Sequence, residues 1–291
     1  MGCQISYSSQ AKQNGEKLIN FSVLMSIYQK ESPEHFDRAM HSIWSDQTVK
    51  PSEVVLVQDG PLPGPLLDRI SAWQDQLGSV LNCVILKENV GTGKAKNIGI
   101  KACSHDLVAV MDTDDVSLPT RFEKQLSVFE SDDSIDVCGA WVGEFKEDEN
   151  LIVSHRRTPE QHEQIVAFAK SRSPVNHPTA MYRKSSVLSA GNYSELRSSQ
   201  DFNLFVRLIM NGAKLHNIQE PLVNMRMGNG QLETRRGGLK QALHEASVQK
   251  EFYQMGFLSL FELVRNVVIG FSIRILPTAL IKLFYKLLRK V

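Results

Sequence analysis

Four short apolar runs, each closed by turn residues and separated by helical patterns, constrain this chain more than any other feature. They are Phe21-Ser22-Val23-Leu24-Met25-Ser26-Ile27-Tyr28, residues 54–57, residues 83–86 and residues 107–111. Runs this short and this apolar read as buried strands. Between them lie amphipathic stripes. One helix starts near Pro33, which suits a first helical turn, and carries Phe36, Ala39, Met40 and Ile43 on one face. A second covers 66–77 with Leu67, Ile70, Trp73 and Leu77, and a third covers 94–102 behind Gly91-Thr92-Gly93. Strand and helix alternate, which predicts βαβ units, a mostly parallel sheet and an α/β fold.

Two of the predicted strands end in acids. The 54–57 run meets Gln58-Asp59-Gly60-Pro61, and the 107–111 run meets Asp112-Thr113-Asp114-Asp115. Open α/β sheets bind ligands at the carboxyl ends of their strands, so both clusters should face one crevice. Carboxylates one residue apart suit a hard divalent cation, and the cation suits phosphates. The plainer alternative is that these acids mark turns. Gly91-Thr92-Gly93-Lys94 is not a phosphate loop, because Glu88 stands where the Walker pattern needs glycine and Ala95 where it needs Ser or Thr. It is either an anion-binding helix start, with Lys94 and Lys96 at hand, or an ordinary cap with solvated lysines.

The second half continues with a helix at 121–130, a strand at 137–142, a hairpin at 145–152 around a charged turn, and a helix at 158–169. A short strand is expected at 176–182. It carries His177, which reads either as a structural histidine or as a contact to sugar or diphosphate. Ser199-Gln200-Asp201 precedes a helix with Phe202, Phe205, Val206 and Ile209 on one face. Asp201 is therefore a helix cap or a general base at a helix start. A last edge strand is expected at 220–226. After it comes a flexible basic loop with Arg235 and Arg236, set either to close on phosphate or to lie in solvent.

Lys and Arg number 33 against 32 Asp and Glu, a net charge of +1. That balance gives no field for nucleic acid, and no nucleic-acid partner is expected. Cys3, Cys83, Cys103 and Cys138 are scattered, which suits a reducing cytosol better than a zinc site or disulfides. Residues 1–18 are polar, lack the apolar core of a signal peptide and read as a disordered lead-in. No uncharged apolar stretch reaches about 18 residues, so no membrane span is expected. The C-terminal stretch differs from the rest. Phe257, Leu260, Phe261, Val264, Val268 and Phe271 keep helical spacing. After Pro277, a second stripe of Leu280, Leu283, Phe284, Leu287, Leu288 and Val291 opposes Lys282, Lys286, Arg289 and Lys290. Such a basic amphipathic pattern suits an anionic membrane surface through 257–291, or else packs on the domain.

Taken in order, these pieces resemble the family-2 glycosyltransferases of GT-A fold. The residues that carry the likeness are 22–29, Val55-Leu56-Val57-Gln58-Asp59-Gly60, 91–99, Met111-Asp112-Thr113-Asp114-Asp115 and Ser199-Gln200-Asp201-Phe202-Asn203-Leu204. The subgroup is similar to bacterial polysaccharide transferases of the amylovoran-biosynthesis type. Gln58 stands where the family often has a first Asp, and lysines stand where it often has arginine. The resemblance implies a mostly parallel, Rossmann-like sheet with flanking helices and C-terminal amphipathic helices. Residues 19–240 would form the catalytic domain (19–116 on the nucleotide side, 117–240 on the acceptor side), and 241–291 a membrane-associating tail.

The activity implied is inverting transfer of a sugar from a UDP-sugar to a growing glycan or lipid-linked saccharide, on the cytoplasmic face of the inner membrane. Asp201 would be the base. Ser26, Tyr28, Asp59, Lys94 (before Lys96), Asn97, Asp112, Arg235 and Arg236 would bind the donor. Asp112 and Asp114 would hold Mn²⁺ or Mg²⁺. Two rivals stand beside it. One is a haloacid-dehalogenase-like phosphatase with Asp112 as nucleophile, and the other is a non-catalytic sugar-nucleotide-binding scaffold.

Overall fold

The structure is a computed structural model and describes residues 19–194, 199–228 and 238–275. Its first half is β1 (Phe21–Ile27), α1 (Pro33–Ile43), β2 (Glu53–Gln58), α2 (Gly64–Leu77), β3 (Leu81–Ile85), α3 (Thr92–Ala102) and β4 (Leu107–Val110). The strands lie in the order β3-β2-β1-β4, all parallel. Right-handed βαβ crossovers place helices on both faces of such a sheet, so β1, β2 and β4 are buried on both sides, while the edge strand β3 is partly exposed. Successive side chains of one strand enter opposite cores. Val23, Met25, Ile27, Val54 and Leu56 join α1 and α2 in one. Leu24, Val55 and Val57 join α3 in the other.

The rest of the chain adds β5 (Val116–Ser117), α4 (Arg121–Ser131), β6 (Ile135–Phe145), β7 (Ser154–Arg156), α5 (His162–Ala169), β8 (Met181–Arg183), α6 (Lys184–Ser189), α7 (Gln200–Met210) and β9 (Lys214–Arg226). The sheet runs on from β4 through β8, β6, β9 and β5, with β7 paired to β6. β8 is antiparallel to both β4 and β6, and it joins the parallel half to a long parallel pair, β6 and β9. The result is the α/β GT-A architecture, a largely parallel sheet flanked by helices.

Several expectations change in detail. The third strand starts two residues earlier than its apolar run. The expected strand at 176–182 is a 3-10 turn, His177–Thr179, followed by the three-residue β8. Pro178 has no amide hydrogen to give a ladder. The expected edge strand at 220–226 is the end of a 13-residue strand that lies inside the sheet between β6 and β5. Its first half is disguised by polar residues. Asn217 is fully buried there, donating to Pro159 O and Pro174 O.

Past β9, α8 (Leu239–Gln254) packs on α7 through Phe252, Val248, Phe202 and Val206. α9 (Leu260–Ile275) leans on α8, with Asn266 donating to Gln249 Oε1 and Lys170 O. The free cysteines Cys83, Cys103 and Cys138 form no disulfide among the described residues. The predicted lead-in at 1–18 and the second basic stripe at 276–291 lie outside the described residues.

Candidate active site

Because β1, β2 and β4 are parallel, Tyr28, Asp59 and Asp112 emerge at the same edge of the sheet. Ser26 and Tyr28 are half-buried at the end of β1. Asp59 is buried, and its two carboxylate oxygens accept the amide hydrogens of Val90 (2.7 Å) and Gly91 (3.1 Å). Gly60 follows at φ +89°, and a Cβ there would stand 2.7 Å from Asn89 N. A glycine is therefore required where this turn crosses the next loop. Asp59 thus pins the turn that starts α3.

α3 begins behind Gly91 and presents its two lysines differently. Lys94 is exposed, whereas Lys96 is only 4% exposed and reaches Asp112 Oδ1 at 3.1 Å. Positions two apart on a helix face nearly opposite ways, so one lysine alone can turn inward. Of the two lysines, it is Lys96 that lines the crevice. Asn97 spends its amide on the chain, donating to Tyr193 O and accepting from Tyr193 N, both at 2.8 Å.

The acidic turn is crowded. Burial works against the ionised form of Asp112, but Lys96, His177 and Arg121 outweigh it and hold its carboxyl below the usual range. Asp114 is pushed up by burial and by Asp112. Asp115 is buried and pushed well up by burial, Asp114 and Asp112, even though it accepts the Arg226 amide hydrogen at 2.9 Å. Glu31, three residues past Tyr28, is raised to about 7 by burial, Asp114 and Asp112. Nothing in its local sequence distinguishes Glu31 from an ordinary loop acid. Behind the turn, the fully buried Arg121 donates to Val110 O at 2.7 Å, to Gln125 Oε1 at 3.0 Å and toward Met111 Sδ at 3.4 Å. It was legible only as the start of a helix.

Facing the acids, α7 starts behind Ser199, whose φ of 62° is left-handed and whose side chain makes no cap. Asp201 stands in the first helical turn, so it is not the cap, and it lines the crevice. The crevice holds a cavity of about 250 Å³, bounded by Gly93 and Lys96 of α3, by Asp112, by His177, and by Gln200 and Asp201 of α7. Gly93 is needed for this approach, since a Cβ would stand 2.9 Å from Ser194 O. His177 is buried, and burial followed by Lys96 pushes its ring down to about 4. Arg235 and Arg236 lie outside the described residues.

Residues 22–190 match the sequence profile described as Glycosyl transferase family 2. The chain belongs to that family. As a family-2 glycosyltransferase it has relatives that match more than nine-tenths of its length. The amylovoran biosynthesis glycosyltransferase AmsE of Erwinia amylovora is 36% identical over 93% of this chain and 99% of its own. An Escherichia coli UDP-Gal:alpha-D-GlcNAc-diphosphoundecaprenol beta-1,3-galactosyltransferase is 34% identical over 91% of this chain and 95% of its own. Among solved structures, S. aureus TarS 1-349 in complex with UDP-GlcNAc superposes with a TM-score of 0.60. It shares 17% identity and covers 90% of this chain and 69% of that one, a likeness of fold. Nothing in these relationships supports the phosphatase alternative. The acidic turn is also the end of the fourth strand in chain order, unlike the first-strand nucleophile that reading requires.

Proposed function

We propose that this glycosyltransferase moves a sugar from a UDP-sugar to a hydroxyl of a glycan or lipid-linked saccharide, with inversion at the anomeric carbon. The observation that carries the reading is the cavity between Asp112 with Lys96 on one wall and Asp201 on the other. A sugar held there has a cation and the start of α3 on its diphosphate side and a carboxylate on its acceptor side. Asp201 takes the proton of the acceptor hydroxyl while that oxygen bonds to the anomeric carbon. The bond to the diphosphate oxygen breaks on the opposite face, and UDP leaves. A base placed in this way contributes on the order of 10²–10⁴-fold in rate.

Lys96 meets the diphosphate, and the start of α3 presents amide groups beside it. Asp59 acts by holding that start in place. Ser26 and Tyr28 flank the nucleoside side, and Asn97 keeps the Tyr193 segment against α3. Asp112 and Asp114 fit Mn²⁺ or Mg²⁺. They are hard oxygen donors; burial and then repulsion from Asp112 raise Asp114, and a cation would offset that repulsion. Among the described residues no three acidic, histidine or cysteine side chains form a closed metal cage. That suits an ion bound by one or two carboxylates and completed by phosphate oxygens. Bound there, it supplies charge neutralisation for the departing diphosphate. The E. coli relative, whose name specifies UDP-Gal and a diphosphoundecaprenol-linked acceptor, and TarS with its UDP-GlcNAc support the choice of donor and acceptor class.

The reading includes a membrane surface. Among the described residues no helix is long and apolar enough to cross a membrane. α9 nevertheless leaves Leu260, Phe261, Val264, Val268 and Ile269 exposed, and Phe261 is 75% exposed. The basic stretch at 276–291 follows directly, and both would rest on anionic lipid at the cytoplasmic face. Co-sedimentation with phosphatidylglycerol vesicles but not phosphatidylcholine vesicles is expected.

A thermal-shift screen of nucleotide sugars with and without Mn²⁺ tests the main reading. Metal-dependent stabilisation by a UDP-sugar is expected. A chain indifferent to every nucleotide sugar would overturn it, and donor binding with no transfer to any acceptor would return the scaffold alternative.

A further inference from the structure

His177 closes a ring of contacts around Lys96. Its Nδ1 lies 3.5 Å from Lys96 Nζ and its Nε2 lies 2.8 Å from the Tyr193 hydroxyl. Tyr193 is in turn clamped at its backbone by Asn97, the residue next to Lys96 on α3. The ring is buried. Lys96 is 4% exposed, His177 9% and Tyr193 3%, and the Tyr182 hydroxyl behind Tyr193, at 3.2 Å, belongs to a fully buried side chain.

The chemistry of the groups orders the protons. An ammonium has three donors and no acceptor, so Nδ1 must present its lone pair to Lys96. Nε2 then carries the hydrogen and gives it to Tyr193, whose own hydrogen passes to Tyr182. Of the three Lys96 donors, one goes to Asp112 at 3.1 Å and one to His177. Without the second contact, the flexible lysine stem would be free to fold fully onto the carboxylate.

We propose that His177, backed by Tyr193, is a positioning residue: it holds the Lys96 ammonium at the cavity wall, with one donor left for the diphosphate of the donor substrate. The inference rests on the functional reading given above, in which Lys96 meets that diphosphate. His177 transfers no proton in this role, since both of its nitrogens are engaged.

The test is a double-mutant cycle read by titration calorimetry of the full chain with UDP and Mn²⁺. His177→Phe keeps the ring packing and removes the acceptor. In the wild-type background it should weaken UDP binding about tenfold or more, the effect of one charge-assisted hydrogen bond. In the Lys96→Met background it should add nothing. His177→Asn, whose side-chain oxygen stands near the place of Nδ1, should recover most of the loss. Equal weakening in both backgrounds, as from direct contact between His177 and ligand, overturns the proposal. So does no weakening in the wild-type background. If His177→Phe does not fold, Tyr193→Phe carries the same cycle, because it removes the hydroxyl that orders the ring. A wild-type chain that ignores UDP overturns the functional reading itself. A chain that binds UDP and loses affinity on Lys96→Met, with His177→Phe inert, overturns only the role of His177.

Discussion

Lys96 Nζ lies 3.1 Å from Asp112 Oδ1, and this pair joins the glycine-led helix α3 to the acidic turn after β4. The lysine is almost wholly enclosed, while the Asp112 side chain stays 38% exposed toward the crevice. Charge on the helix is thus delivered to the place where the diphosphate is proposed to sit. Lys96→Met is expected to slow sugar transfer by about tenfold or more, the scale of a lost charged hydrogen bond. Lys94→Met should cost less, because that side chain faces solvent. Initial rates with a UDP-sugar decide between the two lysines.

Asp201 can be separated from donor binding. Asp201→Asn keeps the shape of the first turn of α7 and removes the basic oxygen. Transfer should fall by on the order of 10²–10⁴-fold while UDP affinity stays near that of the wild type. Full activity in the variant would remove Asp201 as the base.

At the opposite edge of the sheet, Glu53 accepts hydrogen bonds from Ser22 Oγ (2.6 Å), Ser104 N (2.7 Å) and Ser104 Oγ (2.9 Å). Burial alone would raise its carboxyl, but these donors win and hold it below the usual carboxylate range. A depressed carboxylate contributes stability above its unfolded value and loses it as pH falls through the folded one. Glu53→Gln should therefore cost about 1–3 kcal/mol at pH 7, with the gap to wild type closing under acid. Urea denaturation at both pH values measures it, and the KM for donor should not move.

Gly99 marks where α3 meets β1 and β2. A Cβ there would overlap Leu24 Cδ1 and stand 2.8 Å from Val57 Cγ2. Gly99→Ala forces helix and sheet apart, and a loss of about 1–3 kcal/mol is expected from overpacking. The shift of the urea midpoint reports it.

Much of the fold was legible because burial on both faces leaves its mark in composition. β1, β2 and β4 are nearly pure apolar runs, and α7 carries a clear apolar stripe. β9 was half missed, since the polar residues in its first half are satisfied by distant carbonyls that no local pattern reveals. At the site, the strand-end acids and Asp201 stood out by position. Whether Lys94 or Lys96 turns inward depends on helical phase relative to the sheet. Glu31 and Arg121 gain their meaning only from partners, Glu31 from Asp112 and Asp114 and Arg121 from the Val110 carbonyl. His177 reads from sequence as a structural or solvated histidine before a contact to sugar or diphosphate, and the geometry gives it Lys96 on one side and Tyr193 on the other.

The bond from the Arg226 amide to Asp115 spans 111 residues of chain. During synthesis the four parallel strands are complete long before residue 226 leaves the ribosome. Until then the acidic turn lacks its brace, while its carboxylates already crowd one another. A nascent or truncated chain ending before β9 would have the four parallel strands without the contact that holds Asp115. In chain order, the turn that closes β4 thus depends on a strand made more than a hundred residues later.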